Sequence, residues 1–196
     1  MARIGYNPAN VTIKTDAGTT VDMSFIAHLL VAAADAVAAS ADGVLEATAL
    51  TDEVQDITAG LTGPAVPRNL SVTGNASGIT GNVVITGTNW LGEEITETIA
   101  LNGTSTVLGN KAFRTVTKVS LPVEIHAGTD TVSVGWGDKL GLGYKLAHNT
   151  VLAAYLNNVK EGTAPTVAVS ATEIESNTVD LSSALNGTAV DIYLIV

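Results

Sequence analysis

The sequence has no cysteine, which excludes disulfides and thiolate metal sites. It is also short of charge. Asp, Glu, Lys and Arg together make up 14% of its 196 residues, against roughly 25% in an ordinary soluble domain. Aromatic residues reach only 4%, which leaves few rings for stacking on sugars or bases. Basic residues are scarcest: nine Lys and Arg against nineteen Asp and Glu give a formal net charge of −10. That balance repels phosphate and argues against nucleic acid and anionic membrane surfaces as partners. The apolar run at 25–39 contains His28 and Asp35, and is too short and too polar to span a bilayer. Mostly polar residues precede it, Asp16 and Asp22 among them, where a secretion signal has a short basic region.

What remains is apolar and neutral. Hydrophobic residues make up 46% of the chain, and the mean hydropathy is +0.33. A lone molecule of this composition would present much uncharged surface to water, so burial against other subunits is expected. The length suits one large or two small domains, each with a real core.

The pattern of that apolar content is mostly period two. Residues 68–99 read as three consecutive strands of one antiparallel sheet. Leu70 and Val72 oppose Ser71 and Thr73, Val83 and Ile85 alternate with Val84 and Thr86, and Ile95 and Ile99 oppose Thr96 and Thr98. Further strands are expected at 54–59, 112–121, 131–136, 167–170 and 178–181. Turn signals at Asn102-Gly103 and Asn186-Gly187 fall between strands. Near the start, Val11–Lys14 and Thr19–Val21 suggest a hairpin around Asp16-Ala17-Gly18.

One helix is expected, over 24–41. Ser24 or Asp22 caps it, Ile26, Leu29, Leu30, Ala33 and Val37 share a face, and Gly43 ends it. The last residues, Ala-Val-Asp-Ile-Tyr-Leu-Ile-Val, are apolar at nearly every position. They read either as a central strand buried on both faces or as a strand pairing with a neighbouring subunit. The expected fold is therefore mainly β, one or more antiparallel sandwiches with one N-terminal helix. Residues 1–53 form an arm, short hairpin and helix, and 54–136 a β-sandwich domain. Residues 137–196 form a C-terminal β subdomain that packs with the N-terminal segment.

The residues that carry chemistry do not assemble into a motif. His28, His126 and His148 are far apart in sequence and none has metal-ligand spacing. The glycine-rich segments around Trp136 and Leu142 lack the Lys-Ser/Thr pair of a phosphate loop. Glu93, Glu94 and Glu97 read as a solvated strand face. No catalytic, cofactor or metal residues are assigned, and a non-enzymatic protein is expected.

Five segments do carry a likeness. Val66-Pro-Arg-Asn-Leu-Ser-Val-Thr-Gly, Gly81-Asn-Val-Val-Ile-Thr-Gly-Thr, Glu94-Ile-Thr-Glu-Thr-Ile, Gly109-Asn-Lys-Ala-Phe-Arg-Thr-Val-Thr-Lys and Gly135-Trp-Gly-Asp-Lys-Leu-Gly-Leu resemble small structural proteins of tailed-bacteriophage virions. The resemblance covers about residues 54–196 and lies in strands and turns. It implies a β-rich virion component of the capsid decoration (head auxiliary or cement) type. Such a protein sits on the outer capsid surface, bound to the major capsid protein, commonly as a homotrimer. Two alternatives stand beside it. One is a tail, neck or baseplate component of the same virion. The other is a carbohydrate-binding host-adsorption module, with a groove around Trp90, Trp136 or Tyr144. For any of the protein-binding roles, the candidate interface residues are Arg3, Tyr6, Phe25, Ile26, Leu29, Leu30, Ile192, Leu194 and Val196.

Overall fold

The computed structural model describes residues 25–196, together with the strand backbone of 12–14 and 20–22. Over these residues the chain is mainly β, in antiparallel sheets, with one 3-10 turn at Ile174–Ser176. In chain order the strands are β1 (Thr12–Lys14), β2 (Thr20–Asp22), β3 (Ile26–Val31), β4 (Ser40–Ala49), β5 (Gln55–Ile57), β6 (Arg68–Gly74), β7 (Asn82–Thr88) and β8 (Glu94–Ala100). They continue as β9 (Val107–Phe113), β10 (Thr115–Leu121), β11 (Thr131–Gly141), β12 (Val151–Leu156), β13 (Val159–Lys160), β14 (Thr166–Ala168), β15 (Thr178–Asp180) and β16 (Val190–Ile195). β1 and β2 pair as a hairpin, Ile13 opposite Val21. Arg3 and Tyr6 lie outside the described residues.

Two hydrophobic cores share one long strand. The first lies between a four-stranded sheet, ordered β5-β10-β7-β8, and the upper part of a six-stranded sheet, in a sandwich-like arrangement. Val83, Ile85, Ile99 and Val119 from the one meet Leu70, Val72, Phe113, Val132 and Val134 from the other. The second core lies between the lower part of the six-stranded sheet and a further four-stranded sheet, ordered β13-β12-β16-β3. There Leu140, Leu142 and Val179 meet Val190, Ile192, Leu194 and Val31. β11 runs through both cores. On one side it pairs with β6, and on the other with β4 over Thr131–Trp136 and then with β15 at Leu140–Gly141. It therefore crosses the boundary expected after residue 136. β4, from the expected N-terminal arm, is part of the first sandwich.

Among the described residues the helix expected over 24–41 is not found. Ile26–Val31 is a strand, paired residue for residue with β16 from Ile26↔Ile195 to Val31↔Val190. The same residues satisfy both readings, because Ile26, Leu30 and Ala33 are spaced for a helix while Ala27, Leu29 and Val31 alternate with Ile26, His28 and Leu30. The apolar C-terminal strand decides between them. β16 must satisfy its backbone on both sides, and β3 supplies the second ladder.

A second correction concerns 68–99. All three segments are strands, but only β7 and β8 pair with each other. β6 belongs to the opposite sheet, between β11 and β9. It is buried along nearly its whole length, including the polar Arg68, Asn69 and Ser71. The Arg68 guanidinium donates to the Gly137 carbonyl at 2.7 Å, to the Val37 carbonyl at 2.8 Å and to Asp138 Oδ1 at 3.0 Å. Asn69 donates to the Gly109 carbonyl and accepts from the Lys139 amide. These bonds tie β6 to the 32–39 connection, to β9 and to the middle of β11, where the two cores meet.

Candidate interaction surface

The β13-β12-β16-β3 sheet turns one face to its core and the other outward. On β16 the alternation is strict. Val190, Ile192 and Leu194 are fully buried, while Asp191, Tyr193 and Ile195 point outward. Register carries the outward face across the sheet. Tyr193 sits beside His28 and Ala153, Asp191 beside Leu30 and Tyr155, and Ile195 beside Ile26. On β3, Ile26 is 68% exposed and Leu30 58% exposed. Phe25, at the sheet corner, is 53% exposed.

The centre of this face is a small aromatic and polar group. His28 Nε2 lies 2.7 Å from Asp191 Oδ1. The His28 ring stacks on Tyr193 with centroids 4.6 Å apart and planes 6° from parallel. Tyr155 meets Tyr193 edge-on at 6.0 Å. Tyr155, Asn158, Asp191 and Tyr193 line a shallow open hollow of about 290 Å³. Asn158 reaches it from a two-residue turn, Asn157-Asn158, with φ of 51° and 60°. Both residues are in the left-handed region that a type I′ hairpin requires and that Asn tolerates. The surface is thus apolar and aromatic at its centre, with Asp191 paired to His28 and Lys160 beside Tyr155 at the β13 edge, a composition suited to contact with another protein.

The residues expected at an interface divide. Phe25, Ile26 and Leu30 are on the surface. Leu29 and Val196 are partly buried and pack against the second core. Ile192 and Leu194 are inside that core, which corrects the expectation for both. On a strand exposed on one face, alternate residues must point inward, and these two do. The outward face also carries His28, Tyr155 and Tyr193, which were not among the residues expected there. For Tyr193 the sequence carries a signal, since Asp191 and Tyr193 alternate with Val190, Ile192 and Leu194.

Elsewhere the polar side chains serve the fold. Glu97 accepts the Asn110 amide at 2.6 Å and lies half-buried, not on a solvated face as expected; burial pushes its carboxyl up. Glu175 is buried beside Asn89 and Lys111. Burial pushes its carboxyl up, but hydrogen bonds and the Lys111 charge outweigh it and leave it below its usual range. Asp130 accepts the Ile125 and His126 amides, each at 2.8 Å, and its other oxygen lies 2.9 Å from His126 Nδ1. Burial raises its carboxyl, and these hydrogen bonds more than reverse that. Trp136 is half-buried over Gly43 and donates to the Ala38 carbonyl at 3.2 Å, and Trp90 is half-buried against Gly143. Tyr144 is 41% exposed. Among the described residues no group of three or more His, Asp or Glu side chains converges as a metal site. No protein-family model, curated protein or solved structure matches the chain.

Proposed function

We propose that the chain is a non-enzymatic structural component of a tailed-bacteriophage virion, a decoration protein that binds the outside of the major capsid protein shell as an oligomer. The observation that supports this reading is the outward face of β3, β16 and β12, which carries Ile26, Leu30, Ile195, Tyr155 and Tyr193 on a sheet anchored by its own core. Binding by such a face needs no reacting group. It needs a rigid backbone, aromatic anchors with few rotatable bonds, and apolar area that contributes roughly 25 cal/mol per Å² when removed from water. The net charge of −10 suits an outer surface better than one facing packaged DNA. The likeness of Arg68–Gly74 and the other strand segments to phage virion proteins points the same way.

The test is sedimentation of purified chain with undecorated capsids. Saturable co-sedimentation is expected, and Tyr193→Ala should weaken it about tenfold while the fold is retained. A chain that ignores capsids, or that is found by immunolabelling only on tails, overturns the reading.

A second reading, a carbohydrate-binding adsorption module, has one observation in its favour. The hollow at Tyr155, Tyr193, Asp191 and Asn158 combines rings with polar groups, although Trp90, Trp136 and Tyr144, expected around such a groove, do not line it. Binding on a glycan array that is lost in Tyr155→Ala would favour it over the capsid role.

A further inference from the structure

The open side of β3 is an unusual edge. It is six residues long and pairs with β16 without a register shift. It contains neither Lys nor Pro, and its sequence is Ile-Ala-His-Leu-Leu-Val. Natural sheets shorten, kink or charge their edges to prevent pairing with other chains. The opposite edge of this sheet follows that rule, since β13 has two residues and one is Lys160. β3 does not follow it, and among the described residues no strand other than β16 pairs with it.

The direction of its free groups follows from the ladder. Phe25 and Val196 exchange both backbone bonds at 2.9 Å. Antiparallel ladders alternate bonded and non-bonded pairs, so Ala27, Leu29 and Val31 also bond to β16. The N–H and C=O groups of Ile26, His28 and Leu30 therefore point away from it, to the open side. The side chains of these three residues project onto the outward face.

We propose that two copies of the chain pair their β3 strands antiparallel across a two-fold axis, His28 opposite His28, joining the two four-stranded sheets into one. The register is dictated by the strand. Residues directly opposite must share a face, which excludes slips of one residue. Of the registers left, only the one centred on His28 places all of Ile26, His28 and Leu30 in bonded pairs, Ile26 against Leu30 of the other copy. The pattern apolar-His-apolar is symmetric about that centre, as a two-fold contact requires. Charge selects a second copy at this place in particular. Molecules of net charge −10 repel one another, and β3 contains no Asp, Glu, Lys or Arg, while the Asp191 that contacts His28 is in its own chain. The seam stands independently of the virion role. It gives an even-numbered assembly where the phage resemblance implies a trimer.

Sedimentation velocity on the full chain, at concentrations up to about 100 µM, should show a species of twice the 19.9 kDa chain mass. Leu30→Pro removes an N–H that points away from β16, so the intrachain ladder survives while self-association weakens about tenfold or more. His28→Cys places single thiols opposite each other in this cysteine-free chain, and opposed Cα atoms about 5.5 Å apart suit a disulfide. Mild oxidation should cross-link His28→Cys and leave Ala27→Cys uncross-linked. A monomer across that range overturns the seam, as does a trimer. Cross-linking of Ala27→Cys as fast as His28→Cys overturns it too, and so does a dimer unaffected by Leu30→Pro. A monomer that dimerises only after removal of residues 1–24 assigns the edge to the chain's own N-terminal segment, which also overturns it. A β3 dimer that ignores capsids leaves the seam standing and removes the virion role.

Discussion

Arg68 ties three separate parts of the structure together. It is 1% exposed, and its three bonds reach β11 at Gly137 and Asp138 and the connection before β4 at Val37. Burial pulls its guanidinium down from its usual value, and Asp138 opposes that shift. Arg68→Met keeps the aliphatic stem but strands two carbonyls and a carboxylate. A loss of about 3 kcal/mol is expected, read as a lower urea midpoint with unchanged slope. Asp130 gives a pH prediction. Its folded carboxyl sits below the ordinary value of 3.8, so the stability it contributes is present above that value and is lost as pH falls through the lower folded one. In Asp130→Asn, thermal melts between pH 5 and about pH 2 should lose this part of the acid sensitivity. Neither role was legible in the sequence. Arg68 reads there as the polar residue opening a strand, and its burial follows from which sheet that strand joins.

At the scale of elements, the close crossing of β4 and β11 depends on Gly135. The ladder shifts register between Val134 and Trp136, and a side chain at 135 would collide with the Ser40 carbonyl. Gly135→Val should destabilise by about 3 kcal/mol and lower the melting temperature, because the obstacle is backbone and cannot rotate away. The β12–β13 turn predicts the opposite sign. Asn158 occupies a position with φ of 60°, and Asn158→Gly should stabilise the chain by about 0.5 kcal/mol, measured by chemical denaturation. Strand existence was well marked by alternation, as in β7 and β8. The turn glycines were equally legible, since the repeated Ala-Leu-Asn-Gly-Thr segments place Gly103 and Gly187 at φ of 56° and 79°. Pairing was not marked. The Asn102 turn carries the chain from β8 in one sheet to β9 in the other, and is not the hairpin that its residues suggest.

For the whole molecule, the arrangement of two cores along β11 explains why a chain with 14% charged residues can present a firm outer face. Each sheet is fixed from behind, so the exposed apolar residues of β3 and β16 keep their positions without a partner. If the edge of β3 is a seam, adding charge there should be tolerated by the fold and not by the assembly. Leu30→Lys is expected to melt within a few degrees of the parent chain while sedimenting as a monomer. A melting temperature lowered as far as by a core substitution would mean that Leu30 supports its own chain.

The composition and the period-two pattern by themselves determined a sparsely charged, cysteine-free β protein, with turns where Asn-Gly occurs and a strand at its C-terminal end. These are local properties, set by side-chain alternation and backbone sterics. Only the tertiary structure decided that Ile26–Val31 is a strand and that β6 lies across the core from β7. Those choices depend on ladder partners distant in sequence, β16 for β3 and β11 for β6. A short apolar segment takes the backbone form that satisfies the partner's N–H and C=O groups, whatever its own propensity.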